Sequence, residues 1–367
     1  MFILLLFNLA YAVMLLVFAR SFRNGFRAVK EVSGDLPFVS VVIPVRNEAS
    51  RLSTLFESLK EQTYPSQKTE WILTDDHSSD TTLALLQQEK DPRLRILTLR
   101  DGETGKKAAL TAGIRQSNGK WIITTDADCW QEKGWLSAMI AKAESEQAMM
   151  VCGLVKVEGD SSASAQFQSM ETGVLQVSGA GSLRLGHPLL NTGTSLCFLK
   201  QAWEQINGYK GHEHIASGDD TFLMLRFHHQ YPGKVHPLIT GGAVVATHPA
   251  ANWREVLQQR IRWNGKVRHY PTGSIHLTGA IVFLSGLLWL AAIPLAVMNV
   301  NYSWIFAGIF LLRSLSEAYV LHCWKVVTGQ SFSPERMLLM SVFYPIFTLY
   351  SLIIRPFMKI EWKGRKV

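Results

Sequence analysis

The sequence has little cysteine and no motif built on it. Four cysteines are scattered over 367 residues without a Cys-x-x-Cys pair, so their spacing predicts neither a zinc site nor a disulfide framework. Internal repeats and low-complexity tracts are also absent from the sequence, and no repeat architecture is expected. The net charge is +8, but away from the apolar segments there is no basic helix or aromatic–basic repeat. We therefore do not expect nucleic acid as a partner.

Long apolar runs are present instead. Residues 2–19 carry no charge and predict a membrane anchor over residues 1–22. A cleaved signal peptide would have its positive charge before the apolar core, whereas Arg20, Arg23 and Arg27 follow it. This flank predicts that the chain enters the cytoplasm after residue 20, as in an integral protein of the bacterial inner membrane.

Three further apolar stretches lie near the carboxyl end, at residues 277–298, 302–323 and 337–354. They predict two or three spans over 275–356, followed by a basic tail at 357–367. If the anchor and all three stretches cross, the tail ends outside the cell, against the preference of its lysines and arginine for the cytoplasm. One re-entrant or interfacial segment would resolve this conflict, and the sequence does not indicate which it is.

One of these stretches contains a charged pair, and another contains a proline. Arg313 and Glu317 are spaced to pair on one helix face, which predicts burial between helices. Pro345 interrupts the stretch at 337–354.

The segment between the apolar stretches, residues 36–270, predicts an α/β domain. Short β-branched runs alternate with helical patterns, which indicates a mostly parallel sheet covered on both faces. The predicted strands are Phe38–Ile43 (ended by Pro44), Trp71–Thr74, Leu94–Leu99 and Trp121–Thr125. The predicted helices follow a cap at Asn47, begin at Ser79 or Asp80, and cover Lys106–Gln116. The Gly- and Ser-rich residues 159–195 are interpreted as substrate-facing loops.

Two acidic clusters fall at the ends of predicted strands, where ligands bind in such sheets. Asp126 and Asp128 are expected on one side of an extended strand end, a pair suited to Mg²⁺ or Mn²⁺. The alternative is an ordinary surface turn. Asp75 and Asp76 either hydrogen-bond the base or ribose of a nucleotide or belong to a loop that caps a helix.

Two more clusters lie later in the chain. Asp219 and Asp220 open a helical pattern, where a carboxylate could accept a proton from an attacking hydroxyl or simply stabilise the helix N-terminus. Gln259, Arg262 and Trp263 lie on a helical stretch before the apolar segments. Arginine suits a diphosphate and tryptophan offers a flat face to a sugar, but an interfacial amphipathic helix has the same composition.

The ordered set of motifs resembles the membrane-integrated branch of the family-2 glycosyltransferases, which have the GT-A fold. The matching segments are Val39–Glu48, Asp75–Asp80, Gly105–Gly113, Thr125–Asp128, Gly193–Phe198 and Gln259–Trp263. The chain departs from the family pattern at Asp219, where Glu is frequent, at Thr111 and Thr194, where Asn is usual, and at Phe222, where an acid is usual.

The resemblance implies inverting transfer of a hexosyl- or hexosaminyl-type sugar from a nucleotide-diphosphate sugar, expected to be UDP-linked. It implies Asp220 as the base with Asp219 as its partner, and a cation, Mg²⁺ or Mn²⁺, at Asp126 and Asp128. The residues it implies for nucleotide binding are Pro44, Glu48, Asp75, Asp76, Lys106 and Asp126. Those implied for the diphosphate and substrate are Gln259, Arg262 and Trp263.

The acceptor is expected to be a membrane-associated lipid or glycan. A processive polysaccharide synthase is an alternative within the enzymes, and an inactive membrane-anchored scaffold that binds glycan or nucleotide is an alternative of another class. The sugar, the linkage and the oligomeric state do not follow from the sequence.

Overall fold

The structure is a computed structural model that describes residues 1–27, 35–211, 218–298, 300–358, 361–362 and 365–366. Its helices are α1 Phe2–Gly25, α2 Leu52–Lys60, α3 Thr82–Gln88, α4 Lys106–Gln116, α5 Trp135–Ser145, α6 Ala163–Arg184, α7 Lys200–Gln205, α8 Asp219–Gln230, α9 Trp253–Lys266, α10 Gly273–Met298, α11 Val300–Thr328 and α12 Pro334–Ile354. Its strands are β1 Val39–Val45, β2 Thr69–Asp75, β3 Leu94–Thr98, β4 Trp121–Thr124, β5 Cys129–Gln131, β6 Met150–Cys152, β7 Val155–Val157, β8 Leu196–Leu199, β9 Val235–Pro237, β10 Val245–Thr247, β11 Glu361–Trp362 and β12 Arg365–Lys366.

A seven-stranded sheet in the order β3-β2-β1-β4-β8-β6-β9 forms the centre of the domain. The four strands predicted from the sequence, β1 to β4, are adjacent and parallel, and β8 joins them antiparallel to β4. Apolar side chains pack on both faces of the sheet. The prediction of a mostly parallel sheet covered on both faces is confirmed, and it brings the carboxyl ends of β1, β2 and β4 to one edge.

The predicted end of β1 at Pro44 is wrong, because the strand continues to Val45. Pro44 pairs with Thr74 of β2, while β4 accompanies β1 only as far as Val42. One side of the strand is therefore open at Pro44, where a residue without an N–H is tolerated.

The predicted cap at Asn47 is also wrong, because α2 begins at Leu52 after Arg51. The Asn47 side chain is engaged elsewhere: its Oδ1 accepts a hydrogen bond from the backbone N–H of Ser79 at 2.8 Å. Asn47 instead ties the loop after β1 to the loop after β2.

The interpretation of residues 159–195 as loops is wrong over most of its length, since α6 occupies 22 of these residues. Small residues are needed there because other elements come close to α6. A Cβ on Gly181 would lie 2.2 Å from the carbonyl oxygen of Phe18 in α1, and one on Gly173 would lie 2.8 Å from the ring of Trp324 in α11. The glycine-rich composition therefore reflects helix packing and not a loop.

Four helices of the described part of the chain are long and apolar enough to cross a membrane, namely α1, α10, the Ser303–Thr328 part of α11, and the segment Pro334–Phe357 that contains α12. Polar side chains connect them. Arg313 of α11 donates to Asn8 of α1 at 3.0 Å and to Ser285 of α10 at 3.2 Å. Arg313 also lies 3.7 Å from Glu317, so the predicted pair is confirmed.

Glu317 extends this network to the remaining helix. It accepts hydrogen bonds from Tyr11 of α1 at 2.9 Å and from Ser341 of α12. One buried ion pair therefore connects all four apolar helices.

Candidate active site

Asp126 and Asp128 follow β4 at the carboxyl edge of the sheet. They do not share an extended strand end as predicted. The strand stops at Thr124, and a turn through Ala127 and Asp128 leads into β5. The backbone N–H of Cys129 closes this turn on the carbonyl oxygen of Asp126 at 3.2 Å. Both carboxylates remain about a quarter exposed, so a ligand can reach them.

Lys106 joins this turn to a second acidic cluster. It opens α4 directly after Gly105, whose φ of 94° favours glycine. Its Nζ lies 2.6 Å from Asp126 Oδ1 and 3.4 Å from Asp219 Oδ2. Burial would lower the pKa of Lys106, but Asp126 and Asp219 raise it above its ordinary value, so the lysine is a fixed cation of the site.

Asp219 and Asp220 form the first turn of α8, after Gly218 with a φ of 84°. Burial raises the pKa of Asp219, but the cations of Lys106 and Lys266 hold it below its ordinary value. Asp220 Oδ1 accepts from the backbone N–H of Thr221 at 2.5 Å and lies 3.8 Å from Lys266 Nζ. The two lysines and the helix N-terminus therefore stabilise the negative charge of Asp219.

Gly193 forms part of the same site. A Cβ on this residue would lie 3.1 Å from Asp219 Oδ2 and 3.2 Å from Lys106 Nζ. Its carbonyl oxygen accepts a hydrogen bond from the Thr124 hydroxyl at 3.2 Å. The backbone of the Gly193–Phe198 segment therefore lies directly against the Lys106–Asp219 pair.

Asp75 and Asp76 are buried at the end of β2. Asp76 Oδ2 accepts from the backbone N–H of Gly105 at 3.1 Å, which fixes the loop that presents Lys106. Asp75 Oδ2 accepts from Ser78 N–H at 3.1 Å, whereas its buried Oδ1 has no hydrogen-bond partner among the described residues. An unpaired buried carboxylate oxygen suits a ligand that brings its own donor.

Pro44 and Glu48 flank the loop after β1. Pro44 lies in the strand opposite Thr74. Glu48 is buried, its backbone N–H donates to Thr82 Oγ1 at 2.8 Å, and its carboxylate lies 3.5 Å from Arg51. Arg51 also lies 3.5 Å from Asp128, so it connects Glu48 to the β4–β5 turn.

Gln259, Arg262 and Trp263 lie half-buried on α9. The helix is capped by Asn252, whose Oδ1 accepts from the backbone N–H of Glu255 at 3.1 Å. Burial lowers the pKa of Arg262, although Asp219 and Asp126 act to raise it. Lys266, one helical turn after Arg262, lies 3.8 Å from Asp220, so the fold brings the helix of the last predicted motif to the acidic clusters.

Three residues at the site did not emerge from the sequence as functional candidates. Lys266 follows Arg262 by one helical turn, a spacing that could have identified it. No sequence pattern marks Arg51 as a functional residue. Glu171 of α6 pairs with Arg260, and no local pattern predicts a partner 89 positions away.

The pair Asp126 and Asp128 fits a divalent cation only together with a ligand. No group of three or more His, Cys, Asp or Glu side chains that could hold a metal occurs in the part of the chain that the structure describes. Mg²⁺ and Mn²⁺ take oxygen ligands, and Mg²⁺ commonly uses one or two carboxylates with substrate phosphates. Two partly exposed carboxylates at a strand end meet that requirement.

Residues 40–201 match the family model for Glycosyl transferase family 2. The chain contains a family-2 glycosyltransferase domain. This glycosyltransferase domain covers β1 to β4 and the segments carrying Asp75, Lys106 and Asp126, while α8 and α9 follow it.

Curated relatives of the chain are also named as glycosyltransferases or sugar transferases. The chain is 27% identical to glycosyltransferase AglE of Haloferax volcanii over 63% of this chain and 73% of AglE. It is 36% identical to an undecaprenyl-phosphate 4-deoxy-4-formamido-L-arabinose transferase of Proteus mirabilis over 29% of this chain and 33% of that protein. Several other curated relatives are matched over less than two thirds of their own length.

A solved structure shares the fold of this chain. The mannosyltransferase PcManGT of Pyrobaculum calidifontis, determined in complex with GDP-Man and Mn²⁺, superposes with a TM-score of 0.61 at 16% identity. The superposition covers 88% of this chain and 97% of PcManGT. The fold is therefore of the GT-A type, as predicted.

Proposed function

We propose that this protein is an inverting glycosyltransferase that moves a hexosyl- or hexosaminyl-type sugar from a UDP-linked donor to a membrane-associated lipid or glycan acceptor. The observation that supports it is the meeting of three separate segments at Lys106, whose Nζ contacts Asp126 and Asp219. A nucleotide pocket and a candidate base are thereby held on opposite sides of one cation. The lipid acceptor is supported by the resemblance to a transferase named for undecaprenyl phosphate.

The donor side has separate places for the nucleoside and the diphosphate. Asp75 Oδ1, buried and without a partner among the described residues, accepts a hydrogen bond from the base or ribose. Glu48, Asp76 and Pro44 shape the surrounding loops.

The diphosphate lies between the β4–β5 turn and α9. There Asp126 and Asp128 would hold Mg²⁺ or Mn²⁺, which when bound would supply positive charge at the diphosphate. Arg262 faces the same charge from the helix, with Gln259 and Trp263 beside the transferred sugar. Cations aimed at the leaving diphosphate stabilise charge that develops during transfer.

The acceptor side is α8. Asp220 removes the proton from the acceptor hydroxyl as the hydroxyl oxygen attacks the anomeric carbon and the bond to the diphosphate breaks. Lys266, 3.8 Å from Asp220, orients that carboxylate. Asp219, bound to Lys106, maintains the position of this turn relative to the donor.

We further propose that the domain faces the cytoplasm and that the protein belongs to a bacterial inner membrane. This orientation is supported by Arg20, Arg23 and Arg27 at the carboxyl end of α1.

The Asp220→Asn variant tests this assignment. We expect transfer to fall below detection while nucleotide affinity stays within about twofold, because the amide keeps the shape and loses the base. Asp101→Asn, an exposed carboxylate in a turn, is the matched control. Full transfer by Asp220→Asn would remove Asp220 from the mechanism.

A screen of nucleotide sugars for nucleotide release, with membranes and Mg²⁺ or Mn²⁺, identifies the donor. Release from none of them, with nucleotide still bound, would favour an inactive scaffold over an enzyme. Gel analysis of the labelled product distinguishes transfer of a single sugar from processive synthesis.

A further inference from the structure

The amino end of α12 is attached to the catalytic domain. Gln330, just before the helix, donates from Nε2 to the carbonyl oxygen of Val157 in β7 at 2.7 Å. Within the first two turns, Met337 and Met340 pack in one apolar cluster with Phe167 of α6 and Val256 of α9. This end of α12 therefore lies on the catalytic side of the membrane.

The carboxyl end of α12 is attached to the catalytic domain as well. Ser351 Oγ accepts a hydrogen bond from Asn264 Nδ2 of α9 at 3.0 Å. A Cβ on Gly265 would lie 3.4 Å from Nη2 of Arg355. The next residue of α9, Lys266, reaches Asp220 in the candidate active site. The last turn of α12 is therefore also on the catalytic side.

Between these two ends, α12 packs alongside α9. Trp253, the first residue of α9, has its ring centroid 5.3 Å from that of Phe343 and 6.1 Å from that of Phe347. A helix of 21 residues is ~30 Å long, about the thickness of the hydrocarbon core. If α12 crossed, one of its ends would lie at the far surface, yet both ends contact elements of the catalytic domain.

Near the middle of α12, Pro345 packs against α10: a Cβ on Gly286 would lie 3.3 Å from Cβ of Pro345. A proline inside a helix favours a bend, which is compatible with contact between α12 and α10 near Pro345 and contact with α9 on both sides of it.

One face of α12 is apolar and exposed along its whole length. Its members are spaced three or four residues apart and are Leu339, Phe343, Ile346, Tyr350, Ile353 and Phe357. The opposite face is buried and contains Ser341, Pro345, Phe347 and Ser351. Leu338 and Leu352 are exposed beside this stripe. The buried face reaches Glu317 of α11 through Ser341, so the helix fits a segment that enters one leaflet with an apolar face toward lipid and returns to α9.

We propose that α12 does not cross the membrane and instead lies in the leaflet on the catalytic side, with its exposed stripe against the acyl chains of that leaflet. The chain then crosses three times, through α1, α10 and α11. Arg23, Lys325 and Arg355 come to the same side of the membrane as the basic tail, where anionic headgroups are the matching partner. This arrangement removes the conflict between the number of apolar segments and the charge of the tail.

Labelling of single introduced cysteines in the full chain tests the proposal. Glu61→Cys marks the catalytic side, because Glu61 is exposed on the catalytic domain, and Met298→Cys, at the end of α10, marks the opposite side. Lys366→Cys reports on the tail. The four native cysteines are buried and give a low background with a membrane-impermeant maleimide.

We expect Lys366→Cys to be labelled in inverted vesicles and protected in right-side-out vesicles, as Glu61→Cys is. Labelling in the pattern of Met298→Cys would overturn the proposal and make α12 a fourth span. If the tail thiol reacts in neither preparation, an epitope tag is added after Val367. Antibody binding to this tag in inverted or in right-side-out vesicles then shows on which side of the membrane the tail lies. Labelling requires no sugar transfer, so this result is independent of the proposed function.

Discussion

At the scale of single residues, the site depends on a lysine placed between carboxylates that would otherwise repel each other. Lys106 contacts both Asp126 and Asp219, and it is the largest influence that keeps the pKa of Asp219 below its ordinary value against burial. The charge state of Asp219 is therefore set largely by one side chain.

Lys106→Met is predicted to move the acidic limb of the pH–activity profile to higher pH. With the cation removed, burial raises the pKa of Asp219, so the carboxylate takes up a proton at a higher pH than in the natural protein. The measurement is kcat/KM for the donor together with nucleotide affinity between about pH 5 and 9. Lys120→Met, which removes an exposed lysine paired with Glu144, should leave the limb in place. An unshifted limb in Lys106→Met would contradict this role.

At the scale of elements, α9 is positioned by partners from two other helices. Arg260 pairs with the buried Glu171 of α6, and Asn264 bonds to Ser351 of α12. Arg262 lies between these two attachments. The orientation of Arg262 is therefore set by α6, which lies within the family-2 domain, and by α12, which lies outside it.

Glu171→Gln is predicted to impair transfer although Glu171 is absent from the proposed mechanism. It leaves Arg260 buried without its carboxylate, and breaking such a pair costs ~3–5 kcal/mol. We expect a lower Tm and a fall in kcat/KM of tenfold or more.

The double variant Glu171→Gln/Arg260→Gln removes both charges and should recover part of the loss in Tm. Glu204→Gln, an exposed acid on α7, serves as the control. The same Tm and the same kcat/KM in the single and double variants would show that the ion pair does not hold α9 in position.

The elements also show what the sequence could and could not predict. Helix α4 has the predicted bounds Lys106–Gln116, and Asp75, Asp126 and Asp219 were found because each follows an apolar run at a strand end or opens a helix. Helix α6 was not predicted, because glycines that allow α1 to approach have the composition of a loop. Pairs such as Glu171 with Arg260 depend on tertiary contact and leave no local pattern.

At the scale of the whole molecule, the four apolar helices are connected by the ion pair of Arg313 and Glu317. Asn8, Ser285 and Ser341 complete its hydrogen bonds. A charge buried among such helices is costly unless it is paired, so the pair holds the arrangement of the bundle together.

Glu317→Gln is predicted to lower the thermal stability of the detergent-solubilised protein, because it leaves the Arg313 charge buried without its carboxylate partner. The change in Tm is measured against Glu335→Gln, an exposed acid in the first turn of α12. The double variant Arg313→Gln/Glu317→Gln should be more stable than Glu317→Gln alone. A Tm for Glu317→Gln that equals the control value would rule out a stabilising role for the pair.

The close approach of Gly181 to Phe18 has a consequence for how acceptors are chosen. The backbones of α6 and α1 are in close contact at this point, which restricts tilting of the catalytic domain on the membrane anchor. With the proposed chemistry, Asp220 would then act within a narrow range of heights above the lipid surface. The protein would then select an acceptor hydroxyl by its distance from the membrane surface as well as by its chemical identity.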